Sequence, residues 1–69
     1  MQNDTGINLT EMEQKILLLT AEGFNNTDIA EKLFISYHTV KSYLGKIFKK
    51  LNATDRTSAV YIASKKGII

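Results

Sequence analysis

Between Ser36 and Asn52 the apolar residues Val40, Leu44, Ile47, Phe48 and Leu51 follow one another at offsets of 4, 7, 8 and 11 from the first. That spacing stacks side chains along one face of an α-helix. Strand-like alternation is absent and the chain contains no proline, so nothing in the pattern competes with helix. The spacing predicts a helix over about 37–51, opened by Ser36 as N-cap and stopped by Asn52, which tolerates the left-handed conformation where glycine is absent.

Three further helices follow from punctuation of the same kind. Thr10 with Glu13 three residues later has the form of a capping box, and Gly23 can close the helix it opens, which predicts helix over about 11–22. Its apolar face takes Ile16, Leu17, Leu19, Met12 and Thr20, with Leu9 just before the cap. Leu18 falls instead among Glu11, Gln14, Lys15 and Glu22 on the polar face, as part of a docking surface or as an ordinary exposed leucine. Asn25, with Asp28 reaching back, caps a short helix over about 26–34 with Ile29, Ala30 and Leu33 buried. Asp55 caps the last helix, about 56–65, closed by Gly67. The expected fold class is all-α with four helices, preceded by a loosely ordered segment over residues 1–8.

Composition narrows the chemistry. Sixty-nine residues leave room for one small domain near the lower limit for folding alone. No cysteine is present, which removes disulfides, cysteine-ligated zinc and a thiol nucleophile. His38 is the only histidine, with no second ligand and no triad spacing, so neither a metal, a cofactor nor an enzymatic activity is expected. The longest apolar run, Ala59–Ala63, is far shorter than the roughly 18 residues of a membrane span, and a cytoplasmic protein without a membrane partner is expected.

The formal net charge of +2 is unevenly distributed. Residues 1–34 hold six carboxylates against Lys15 and Lys32, a net −4, while residues 35–69 hold seven cations against Asp55 alone, a net +6. A polyanionic partner for one face and plain solvation of a helix both account for such a split. The helices over 26–34 and 37–51 are joined by a sharp turn at Phe34-Ile35-Ser36, the anatomy of a helix-turn-helix. With the apolar stripe assigned to the core, the opposite face of the second helix reads His38, Lys41, Ser42, Gly45, Lys46 and Lys49, without an acidic residue. A helix of this kind fits a major groove about 12 Å wide, where lysine donates to guanine and serine serves either base type. Gly45 costs a helix interior roughly 0.5–1 kcal/mol relative to alanine, either because a nucleic acid approaches closely there or because the chain tolerates the loss.

The residues Leu9-Thr10 with Glu13, Ala21-Glu22-Gly23, Asn26, Ile29-Ala30, Leu33, Ile35-Ser36, Thr39-Val40-Lys41, Ile47, Lys50-Leu51 and Arg56-Thr57 together resemble the LuxR/GerE-type DNA-binding domain at the C-terminus of NarL/FixJ response regulators. The resemblance covers about 9–68. It implies that Asn26–Gly45 is the helix-turn-helix motif and that the helix over 37–51 is the recognition helix, with Lys41, Ser42 and Gly45 at base edges. It also implies phosphate contacts by His38, Tyr43, Asn25 and Asn26, to which Ser36, Thr39, Lys46 and Lys49 are added. The last helix would form a dimer contact through Thr57, Val60, Tyr61 and Ser64. Met12, Lys15 and Gly45 depart from the family's usual arginine, acidic residue and, in some relatives, lysine.

The expected function is therefore sequence-specific binding of double-stranded DNA in transcription regulation, as a homodimer on two half-sites, with a receiver domain or RNA polymerase as further contacts. Arg56 serves either a structural pairing beside Asp55 or a phosphate. Tyr37 stacks on DNA or lies along the surface, and Lys65 and Lys66 suit the C-terminal end of their helix. The rival reading is a protein-binding helical adaptor that keeps the fold and uses Leu18 or the last helix to hold a partner.

Overall fold

The computed structural model describes residues 7–69, and the chain order is α1 (Glu11–Ala21), α2 (Asn26–Leu33), α3 (Tyr37–Leu51) and α4 (Arg56–Lys65). No strand occurs among the described residues. Each helix begins where a short polar side chain can satisfy an N–H left without an intrahelical acceptor. Thr10 Oγ1 accepts from the Glu13 N–H at 3.1 Å while Glu13 Oε1 accepts from the Thr10 N–H at 2.8 Å, a closed capping box. Asp55 and Ser58 close a second box at α4. At α2 the Asn25 half forms, with Oδ1 accepting from the Asp28 N–H at 2.8 Å, and Asp28 does not reach back. Ser36 Oγ accepts from the Thr39 N–H at 3.0 Å and shares a 2.8 Å hydrogen bond with the Thr39 hydroxyl.

All four helices end in the same way. A left-handed residue, namely Gly23, Phe34, Asn52 and Gly67 with φ of 99°, 58°, 56° and 74°, is followed by the apolar residue Phe24, Ile35, Ala53 or Ile68. The N–H of that apolar residue returns to a carbonyl five positions earlier at 2.8–3.1 Å, and its side chain packs against the core. This is the Schellman arrangement, in which the turn and the apolar contact support each other. α1 and α2 consequently stop one residue short of the expected 22 and 34. Phe34 is the turn itself, in a conformation that disfavours any Cβ, with its ring 94% exposed.

α3 occupies the centre and packs on each of the other three helices, while α1 also meets α2 and α4. Val40, Leu44, Ile47 and Leu51 are buried against Ile16 and Leu17 of α1, Ile29 and Ala30 of α2, and Ala59 and Ala63 of α4. Phe48, expected in this stripe, lies half-buried at its edge. Thr20 is buried with its hydroxyl donating to the Ile16 carbonyl at 2.8 Å, so the polar atom on the inner face is satisfied.

A buried carboxylate ties the start of α1 to the C-terminal end of α3. Glu13, 3% exposed, accepts from Lys50 Nζ at 2.7 Å, and the same ammonium donates to the Asn8 carbonyl at 3.0 Å. Burial pushes the Glu13 carboxyl up, but the Lys50 ammonium and the Thr10 N–H outweigh it and hold the group below its usual range. Residues 1–6 lie outside the described residues. Of the segment expected to be loosely ordered, Ile7 packs against the core and Asn8 is held by Lys50.

Candidate nucleic-acid interface

α3 is 15 residues long, about 22 Å at the ordinary helical rise. Because its stripe of buried side chains faces three helices, the opposite side must face solvent. His38, Lys41, Ser42, Gly45, Lys46 and Lys49 are all exposed there, and no acidic residue falls within α3. The three residues expected at base edges, Lys41, Ser42 and Gly45, lie within one helical turn at the middle of this face. The Lys41 ammonium sits 5.9 Å from the centre of the Tyr37 ring, and the Lys46 ammonium 5.8 Å from that of Tyr43. These rings draw each cation along the helix and keep it solvent-accessible.

The residues expected at phosphates fall into two groups. His38, Thr39, Tyr43 and Lys46, with Ser42 of the base-edge set between them, line one concave flank of α3, a depression of about 270 Å³. Asn25, Asn26 and Ser36 sit instead at helix starts, and like Thr39 they have part of their polar capacity engaged. The Asn25 oxygen and the Ser36 and Thr39 hydroxyls serve their caps. The Asn26 Oδ1 accepts from Arg56 Nη2. Lys49 stands exposed farther along the same face of α3.

Arg56 pairs with a backbone carbonyl and an amide oxygen. Its Nη1 donates to the Phe24 carbonyl at 3.2 Å and its Nη2 to Asn26 Oδ1, so the start of α4 is bound to the start of α2. Beside it Asp55 keeps its carboxyl below the usual range, because the Ser58 N–H and then the Ser58 hydroxyl bond to it.

The second flank of α3 was not legible in the sequence. Leu44, Gly45 and Phe48 face Thr54, Asp55 and Arg56 across an open cleft of about 340 Å³ that Lys41 borders. Neither spacing nor charge signals it, because the opposing wall belongs to a separate helix start. On α4, Thr57, Tyr61 and Ser64 are exposed and Val60 is half-buried, four residues along one side of the helix, with Tyr61 62% exposed. Leu18 is 47% exposed and borders a shallow groove with Ile68 and Ile69, so it has apolar neighbours that the helical pattern of α1 did not supply. Among the described residues no helix is long and apolar enough to cross a membrane.

The model for bacterial regulatory proteins of the luxR family matches residues 7–63. The chain is 48% identical over 60 residues to the uncharacterized transcriptional regulatory protein YxjL of Bacillus subtilis, covering 87% of this chain and 28% of that one. It is 44% identical over 61 residues to the response regulator protein VraR of Staphylococcus aureus, covering 88% and 29%. Among solved structures, the response regulator ChrA of a heme-sensing two-component system superposes with a TM-score of 0.87 at 39% identity, covering 90% of this chain and 31% of that one. A Vibrio cholerae VqmA dimer, in the absence of its target DNA, superposes with a TM-score of 0.88 at 27% identity, covering 97% and 30%. The chain thus spans less than a third of the length of these relatives. Four helices of matching arrangement, with a family match that runs through both the capped scaffold and the basic helix, place this chain in the luxR family of bacterial regulatory proteins.

Proposed function

We propose that the chain is a sequence-specific, double-stranded DNA-binding domain of a cytoplasmic transcription regulator, with α3 in the major groove. One observation carries this reading: the exposed face of α3 presents three lysines, a histidine and a serine with no acidic residue, directly opposite the side that folding requires. Lys41 and Ser42 read base edges. Lys46, Lys49, His38 and Tyr43 hold phosphates together with Asn25, Asn26, Ser36 and Thr39: the hydrogen bonds of Asn25 and Asn26 engage only their amide oxygens, and of the mutually bonded Ser36 and Thr39 hydroxyls one keeps its proton to donate. A homodimer through Thr57, Val60, Tyr61 and Ser64 of α4 sets two such helices on two half-sites. The relatives called response regulators support a receiver domain as the controlling partner, and RNA polymerase is a further contact.

The test is a fluorescence titration of duplexes selected from a random library, at two salt concentrations, against genomic DNA as the nonspecific reference. Lys41→Ala lowers the specific-to-nonspecific ratio, whereas Lys46→Ala or Lys49→Ala weakens all sequences alike and reduces the salt slope by about 1. An unchanged ratio in Lys41→Ala rejects its assignment to base readout. Half-exposed Leu18 beside Ile68 and Ile69 favours a second reading, a helical adaptor that holds a protein, and absence of any DNA binding at low salt would select it.

A further inference from the structure

Gly45 has no intramolecular reason to be glycine. Gly23 and Gly67 take positive φ at helix ends, but Gly45 does not, so its backbone is open to any residue but proline. A Cβ built on it meets nothing within 4 Å. A glycine in a helix interior is nevertheless disfavoured relative to alanine. The space it leaves is one wall of the cleft of about 340 Å³ that Leu44 and Phe48 line with apolar surface. That cleft opens beside Lys41 on the acid-free face, and across it Asp55, whose carboxylate accepts from the Ser58 N–H, stands next to Arg56, whose guanidinium is held by the Phe24 carbonyl and Asn26, so the far wall presents no net charge to a phosphate. What fits is an uncharged, apolar group presented in a major groove. The thymine 5-methyl is the one such group on a base edge there.

We infer that the gap at Gly45, between Leu44 and Phe48, is a subsite for the methyl-bearing edge of a thymine, so that this glycine specifies T at one position of each half-site. The inference rests on the DNA-binding reading above and adds to it the chemistry of one base. Lys41 takes its hydrogen-bonded base one turn toward the N-terminus of α3, and the missing side chain at Gly45 reads the neighbouring base by shape. A side chain there would occupy the volume that the methyl fills.

The experiment measures affinity for duplexes selected by the whole chain from a random library, then for the same duplexes with each thymine in turn replaced by deoxyuridine, which removes only the methyl. At one thymine per half-site the replacement weakens binding about threefold to fivefold, the worth of one buried methyl group. In Gly45→Ala, whose Cβ has room in the folded chain, the ratio between the thymine and deoxyuridine duplexes at that position falls to one or below, with the helical circular dichroism unchanged. Selected sites without an invariant thymine overturn the inference. So does a wild-type chain indifferent to every replacement, or a ratio that Gly45→Ala leaves intact. In each of those cases the chain still binds duplex DNA, whereas failure to bind any duplex at low salt overturns the DNA-binding reading as well.

Discussion

Val40, Leu44, Ile47 and Leu51 on the inner face of α3 are each at most 5% exposed and packed among three helices, whereas His38, Lys41, Ser42, Gly45, Lys46 and Lys49 on the outer face stand in solvent. Both faces belong to one 15-residue helix with one cap and one stop, so the contrast is not one of local structure. Every inner residue is accounted for by the core that covers it. The outer residues gain little from the fold, and one of them, Gly45, weakens the helix that carries it. Composition that folding does not require is where a binding surface is to be sought.

Substitutions can break this contrast, and the largest effect belongs to the inner face. Ile47→Ala empties a fully buried position and is expected to cost about 2–5 kcal/mol. A core of this size rarely supplies more than about 3–5 kcal/mol, so denaturant titration should find the variant largely unfolded, with DNA binding lost for that reason.

Next in size is Glu13, which joins the N-terminal segment to α3 through Lys50. Glu13→Gln is expected to cost about 1–3 kcal/mol at neutral pH, since the Lys50 ammonium loses its charged partner. The folded-state carboxyl is held below its usual range. Its contribution is therefore complete above the unfolded value of about 4.3 and fades as pH falls through the lower folded value. Thermal melts across that acid window should show the wild type approaching Glu13→Gln as pH drops. A gap between the two that persists below it would remove the charge from the explanation.

Two substitutions should stabilise. Gly45→Ala relieves a helix-interior glycine and is expected to add about 0.5–1 kcal/mol. Phe34→Gly removes a Cβ from the left-handed turn and is expected to add up to about 1 kcal/mol, a gain reduced by the greater freedom of glycine in the unfolded chain. A loss of stability in Gly45→Ala would mean that the glycine serves the fold after all. The smallest effect on folding is expected of Lys49→Ala, within about 0.5 kcal/mol by chemical denaturation, whereas under the proposed DNA-binding reading weaker binding to DNA of every sequence is expected of it. If Lys49→Ala unfolded the domain instead, the two faces of α3 would not be separable.

Much of this was readable along the chain. The N-caps Thr10, Asn25, Ser36 and Asp55 and the stops Gly23, Asn52 and Gly67 act over five residues or fewer, and so does the stripe Val40, Leu44, Ile47 on its helix. Interactions this local leave their mark in spacing. Phe34 was harder to read, because an aromatic residue gives no sign of left-handed backbone, and only the apolar Ile35 after it matches the pattern at the other three helix ends. The basic face was legible once the stripe was removed, because whatever is not inside a central helix is outside it.

The sequence by itself determined that four helices form, where they start and stop, and which side of α3 is basic, since capping and periodicity are properties of neighbouring residues. Tertiary structure alone decided that Lys50 reaches Glu13 across 37 positions, that Arg56 holds the Phe24 carbonyl and Asn26, and that α4 begins opposite Gly45 to make a cleft of it. Those depend on how helices pack. Packing joins residues remote in the chain through burial and shape, for which no spacing rule exists.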